Sequence, residues 1–236
     1  MNRCPQPSST LAWQDLCGGY GDTQVLRPLS GAVQPGQVLA VLGRNGVGKS
    51  TLLKLLSGAL APMGGQVWLQ GQALGESPAH LRYRAGLVCL PQERVVFDSL
   101  SVKDNLCLHQ PRADLSAYEP MFEQFPRLKE RLRVPAGLLS GGEKKLVAFA
   151  RCLSSPACVV LLDEPSEGVQ EENIQRMSRL IQGQCAQGKA FVLVEQNLSF
   201  AAPLLHQVIV LDHGDVVLSG TQANLDRAEL MRHLAV

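Results

Sequence analysis

The apolar residues of this chain change their spacing several times, and each change marks a new element. Short runs with strand character occur at Leu11 to Leu16, Gln37 to Leu42 and Gln66 to Leu69, separated by glycines and polar residues. From Gly48 to Leu60 the period becomes helical, with Leu52, Leu53, Leu55, Leu56 and Leu60 on one stripe. Gly86 to Leu90, Cys158 to Leu162 and Phe191 to Glu195 are continuous apolar runs. Such runs predict parallel strands covered on both faces. Helices are predicted over Gly141 to Leu153 and Glu171 to Gln187, and a hairpin over Val208 to Leu218 with its turn at His213-Gly214. Between Ser101 and Val134 the pattern reads as short helices broken by Pro111, Pro120, Pro126 and Pro135. The expectation is an α/β chain: a polar tail over residues 1–10, then one domain over 11–236, with a helical insertion at about 95–150.

Composition narrows the classes. The chain has 236 residues, 45% of them hydrophobic, which is enough for a substantial core. A net charge of +1 gives no general electrostatic case for nucleic acid, so an anionic ligand needs a local site. Seven cysteines, an odd number, include no C-x-x-C pair and predict reduced, buried thiols in a cytosolic protein. The first residues lack the apolar core of a signal peptide, and no apolar run is long enough to span a bilayer. If the protein works at a membrane, another chain must do the spanning.

Three motifs carry chemistry. Gly43-Arg44-Asn45-Gly46-Val47-Gly48-Lys49-Ser50-Thr51 fits the phosphate-loop pattern G-x-x-x-x-G-K-[ST], with an apolar strand before it and a leucine-rich helix after it. Its glycines let backbone N–H groups close around phosphate oxygens at a helix N-terminus. Lys49 is expected on the β/γ-phosphates of Mg-ATP and the Ser50 hydroxyl on Mg²⁺. The apolar run Val159 to Leu162 ends in Asp163-Glu164. Asp163 is the expected Mg²⁺ ligand and Glu164 the base that polarises the attacking water. Leu139-Ser140-Gly141-Gly142-Glu143 opens a helix, with Ser140 as its N-cap.

In this order the motifs resemble the ATP-binding-cassette (ABC) ATPases over nearly the whole chain, from about Leu11 onward. The resemblance implies a P-loop NTPase fold: a RecA-like, mostly parallel sheet, an N-terminal antiparallel β subdomain and a helical subdomain inserted into the core. It implies that Ser140, Gly141 and Gly142 bind the γ-phosphate of ATP held on a second subunit's P-loop, so that two subunits sandwich two ATPs. Tyr20 matches the aromatic residue that stacks on adenine. Gln92 matches the glutamine that contacts Mg²⁺ and the attacking water. Gln196, in Val194-Glu195-Gln196-Asn197, replaces the usual switch histidine; it can hydrogen-bond a γ-phosphate but cannot be a protonated donor. Gln170 replaces the usual aspartate after Asp163-Glu164-Pro165.

Both replacements resemble one branch of the family, the importers of branched-chain amino acids, amides and urea, and the urea-type member is the most similar in these strings. Glu143-Lys144-Lys145 departs from that member's glutamine-rich signature tail, and Leu90 to Asn105 also resembles the lipopolysaccharide-export ATPase. The implied assembly is peripheral on the cytoplasmic face of the inner membrane. It comprises ABC permease subunits, a second ATP-binding subunit (a copy of this chain or a relative) and, indirectly, a solute-binding protein. Val95, Val96, Phe97, Leu100, Met121, Phe122 and Phe125 are candidates for the permease contact; packing of the insertion's own core is the alternative. Arg127, Lys129, Glu130, Arg131 and Arg133 read as a solvated helix face. A soluble ABC ATPase without a transporter and a regulatory module with little turnover stand as the other classes.

Overall fold

The computed structural model describes residues 9–109, 114–225, 230 and 232. Cys4, Pro111 and positions 1–8 of the expected tail lie outside the described residues. Ser9 and Thr10 are described and are not loose: both are buried, and the Thr10 N–H donates to the Val33 carbonyl at 2.9 Å.

The strands β1 (Leu11–Tyr20) and β2 (Thr23–Val33) form an antiparallel pair, followed by β3 (Val38–Leu42) and the helix α1 (Lys49–Ser57). The next elements are β4 (Gly64–Leu69), β5 (Gln72–Ala73), α2 (Ala79–Arg84) and β6 (Leu87–Leu90). Short helices follow: α3 (Val102–Cys107), α4 (Glu119–Gln124) and α5 (Pro126–Glu130), then the longer α6 (Gly141–Leu153). The chain ends its described part with β7 (Val159–Asp163), α7 (Glu171–Ala186), β8 (Ala190–Glu195), α8 (Leu198–Ala201), β9 (Gln207–Asp212) and β10 (Asp215–Thr221).

Two sheets result. The first is antiparallel, in the order β2-β1-β4-β5. The second has the order β10-β9-β3-β8-β7-β6, parallel except for the hairpin strand β10 at its edge. Period-two alternation divides β3 between two cores. Val38, Ala40 and Leu42 face a cluster shared with α3 to α8, while Leu39 and Val41 face α1 and the antiparallel sheet. The mixed α/β architecture is that of a P-loop NTPase.

Several expectations need correction. β2 has no counterpart among the predicted strands; Pro28 and Gly31 interrupt its alternation. It is an edge strand, where proline is tolerated, and bulges against β1 set its buried positions Leu26, Leu29, Ala32 and Val33. α1 stops at Ser57, not Leu60, because Gly58 takes a left-handed C-cap with φ 74°. Pro126 marks a break as expected, since the non-helical Phe125 ends α4 and Pro126 opens α5; Pro120 sits in the first turn of α4, where a missing N–H costs nothing. Of the six described cysteines all are free, but only Cys152 is fully buried. The hairpin turn falls at His213-Gly214 with φ of 45° and 81°, as a two-residue turn requires.

Candidate nucleotide site

The phosphate loop joins β3 to α1. Gly43 has φ 152°, and a Cβ there would stand 2.4 Å from the Leu211 carbonyl oxygen, so the tight exit from β3 admits only glycine. Lys49 is 4% exposed and donates from Nζ to the carbonyls of Gly43 and Arg44, both at 2.8 Å. Burial lowers its pKa, and the nearby Glu164 carboxylate pulls it back up. Ser50 donates from Oγ to Asp163 Oδ1 at 3.0 Å, across from the first turn of α1 to the end of β7. Burial raises the Asp163 carboxyl to about 6, against the opposing effect of the Ser50 hydrogen bond.

Glu164 is the meeting point. Its Oε1 lies 3.4 Å from Lys49 Nζ and 3.3 Å from Gln196 Nε2, and its Oε2 accepts from Gln92 Nε2 at 2.9 Å. Gln196 also donates to Asn45 Oδ1, so the end of β8 touches the phosphate loop. The Glu164 backbone has φ 45°, left-handed, directly before Pro165. Such a conformation costs about 1–3 kcal/mol and persists only where the surroundings impose it. Glu195, 2% exposed, supports the next loop by accepting from the N–H groups of Ser166, Gln196 and Asn197.

Tyr20 leaves its ring about half exposed beside α1, accepting a hydrogen bond from Lys54 Nζ at 3.0 Å. That bond lowers the phenol's pKa. Ser140 caps α6 in a capping box: the Glu143 N–H donates to Ser140 Oγ, and the Ser140 N–H donates to Glu143 Oε2. Gln170 is exposed at the N-cap of α7 and makes no side-chain cap. Lys49, Ser50, Gln92, Asp163, Glu164 and Gln196 thus come together within one chain, linked through hydrogen bonds and the Lys49–Glu164 pair.

The candidate permease residues divide between the core and a groove: Val95, Val96, Phe97 and Phe125 line one open groove, and the packing alternative accounts for Met121 and Phe122. Met121, Phe122 and Phe125 are 2–3% exposed and pack the core under the short helices, and Val95 is also buried. Phe97 alone of the set is largely exposed, at 59%. It borders an open groove of roughly 1660 Å³ that also touches Gln92, Phe125, Ser140, Gly142 and Glu167. Arg127, Lys129, Glu130 and Arg133 are exposed, as a solvated face requires.

A family model described as ABC transporter matches residues 26–167. The chain belongs to the ABC transporter family. As an ABC ATPase it binds and hydrolyses ATP. It is 36% identical to the high-affinity branched-chain amino acid transport ATP-binding protein BraG of Pseudomonas aeruginosa, over 91% of this chain and 94% of that protein. It is 32% identical to the lipopolysaccharide export system ATP-binding protein LptB of Acidithiobacillus ferridurans, over 96% of each. A solved ATP-binding subunit of an ABC transporter superposes with a TM-score of 0.84 at 26% identity, covering 97% of this chain and all of that one. The ABC ATPase has no helix among its described residues that is long and apolar enough to cross a membrane.

Sequence reasoning missed two lysines at this site. Lys54 meets Tyr20, as described above. Lys145, only 6% exposed, reaches the Glu164 carbonyl oxygen at 2.7 Å and Glu167 Oε2 at 3.0 Å. A signal existed in the second case: Lys145 lies in register with Ala148, Phe149 and Cys152 on the apolar stripe of α6.

Proposed function

We propose that this ABC ATPase is the energy-coupling subunit of an importer for branched-chain amino acids, short amides or urea. The convergence of Lys49, Gln92 and Gln196 on the Glu164 carboxylate supports the hydrolytic part of the reading, because it describes a site built to hold one carboxylate beside a phosphate loop; the import part rests on the relatives. The similarity to BraG favours branched-chain amino acids within that group.

ATP lies with its phosphates on the backbone N–H groups from Gly46 to Thr51 and its adenine on the Tyr20 ring. Gly43, Asn45 and Gly48 shape the loop. Lys49 turns from Glu164 to the β/γ-phosphates. Bound Mg²⁺ supplies charge neutralisation at those phosphates. Ser50, Asp163 and the Gln92 amide oxygen would hold it; all three are hard oxygen donors. Adjacent oxygens around octahedral Mg²⁺ stand about 2.9 Å apart, and Ser50 Oγ and Asp163 Oδ1 are 3.0 Å apart. Glu164 takes the proton of the attacking water, while Gln92 and Gln196 orient that water and the γ-phosphate. Ser140, Gly141 and Gly142 close on the γ-phosphate held by a second subunit, so the dimer is the working unit. A membrane permease docks at the groove beside Phe97, placing the ATPase on the cytoplasmic face of the membrane.

Glu164→Gln tests the chemistry. The variant is expected to bind ATP, to accumulate as a closed dimer, and to hydrolyse about 10²- to 10⁴-fold more slowly. Full hydrolysis by it removes Glu164 from the role of base. Co-purification with a permease from membranes tests the transport reading; a soluble ATPase stimulated by DNA or ribosomes overturns it.

A further inference from the structure

Both backbone groups of Glu164 are held from opposite sides. Its N–H donates to the Val194 carbonyl of β8 at 3.0 Å, and its carbonyl oxygen accepts from Lys145 Nζ of α6 at 2.7 Å. Its left-handed φ of 45° therefore lies between two fixed elements. The Lys145 ammonium also pairs with Glu167 Oε2 at 3.0 Å, and the Lys145 end of that pair is 8% exposed. Gln92 Nε2 lies 3.4 Å from the same Glu167 oxygen and 2.9 Å from Glu164 Oε2. Lys145, Glu167, Gln92 and Glu164 thus close a ring.

A second contact binds the same two segments. A Cβ on Gly142 would lie 2.7 Å from the Gly168 carbonyl oxygen, so the first turn of α6 rests directly on the backbone that follows Glu164. The helix that begins with Ser140-Gly141-Gly142 is therefore fastened at two points to the segment 164–168 of its own chain.

We infer that Lys145 is a positioning residue for the Glu164 carboxylate, and that through it the pose of α6 sets the pose of the base. A buried ammonium is costly to desolvate, and its partners here are the Glu164 carbonyl and the Glu167 carboxylate beside it. Removing Lys145 releases the Glu164 carbonyl and leaves its φ to relax. The carboxylate then leaves the geometry that Gln92 and Gln196 share. A displacement of about 1 Å in a reacting group can lower a rate about 10²-fold. Nucleotide binding depends on the phosphate loop and Tyr20, which Lys145 does not touch.

The inference rests on Glu164 being the base, and the experiment separates the two. Steady-state hydrolysis and equilibrium binding of ATP are measured for the full chain with Lys145→Met, Lys145→Gln, Glu167→Ala and Glu164→Gln. Lys145→Met is expected to lose about 10- to 100-fold in kcat, with ATP affinity and KM within about twofold of the parent. Lys145→Gln keeps a donor for the Glu164 carbonyl and is expected to recover part of the rate. An unchanged kcat, or a raised KM at unchanged kcat, overturns the inference. Should Lys145→Met fail to fold, Glu167→Ala, on the exposed side of the ring, is expected to lower kcat severalfold at constant KM, and an unchanged kcat there overturns it equally. A slow Glu164→Gln beside a normal Lys145→Met refutes the positioning role alone. A fast Glu164→Gln refutes the base, and with it the premise.

Discussion

Lys49 Nζ and Glu164 Oε1 stand 3.4 Å apart, with 4% and 9% of their side chains exposed. Lys49 and Glu164, the residues proposed to meet phosphate and water, neutralise one another in this conformation. Under the proposed mechanism an incoming γ-phosphate competes for Lys49, and the same exchange frees Glu164. On that proposal, binding and arming of the base are one rearrangement. Lys49→Met is therefore expected to abolish nucleotide stabilisation. At a ligand concentration of about 100 times Kd, the parent chain gains about 2.7 kcal/mol, a rise in Tm of about 5–11 °C. Thermal unfolding with and without Mg-ATP should show that rise in the parent and none in the variant.

Gln196 contributes one of the amide donors on Glu164 and also reaches Asn45 of the phosphate loop. A hydrogen bond to a charged group contributes about 1.5–3 kcal/mol. Gln196→Ala is expected to lower kcat about 10- to 100-fold while ATP still binds. Gln196→His, which keeps a donor, should retain more of the rate. Single-turnover hydrolysis at saturating Mg-ATP reads both.

Arg82, 1% exposed, anchors the far end of the phosphate-loop helix. Its guanidinium donates to the carbonyls of Leu55 and Leu56, in the last turn of α1, and to those of Ser77 and Gly75, all at 2.8–2.9 Å. A cation there also complements the helix dipole. Arg82→Met leaves these acceptors buried and is expected to destabilise the chain by about 3 kcal/mol or more. The urea midpoint should fall with an unchanged m-value. Arg82→Lys should recover little, since an ammonium lacks the fork that reaches four carbonyls.

Asn105, fully buried, holds the exposed Phe97 from beneath. The Phe97 N–H donates to Asn105 Oδ1 at 2.8 Å, and Asn105 Nδ2 donates to the Phe97 and Ser101 carbonyls at 3.0 Å. Asn105→Ala is expected to cost about 1–3 kcal/mol. Amide exchange at Phe97 should accelerate more than at Val41 in β3.

Cys152 tests the thiol chemistry. Burial pushes its pKa up to about 11, so at pH 8 about one thiol in a thousand is ionised. In the folded chain it should react with thiol reagents on the order of a hundred times more slowly than in the unfolded chain. Mapping the labelled cysteines by mass spectrometry checks this.

The sequence by itself determined the elements whose signal is local. α6 runs over Gly141–Leu153, the bounds read from its cap and period, because Ser140 and Glu143 need only each other to start it. The buried strands β6, β7 and β8 were legible because a strand covered on both faces must be apolar throughout. The phosphate loop and the Asp163-Glu164 strand end were legible as motifs because their residue types and spacing are local. The tertiary structure decided what depends on partners distant in the chain. β2 is a strand because β1 pairs with it, in spite of Pro28 and Gly31. Met121, Phe122 and Phe125 went inside while Phe97 stayed out, although all four are equally apolar in the sequence. Lys145 became part of the site because α6 docks against residues 164–168, and a lysine's spacing carries no record of the carbonyl it will meet. Periodicity reports which face of an element is apolar; only packing chooses what that face touches.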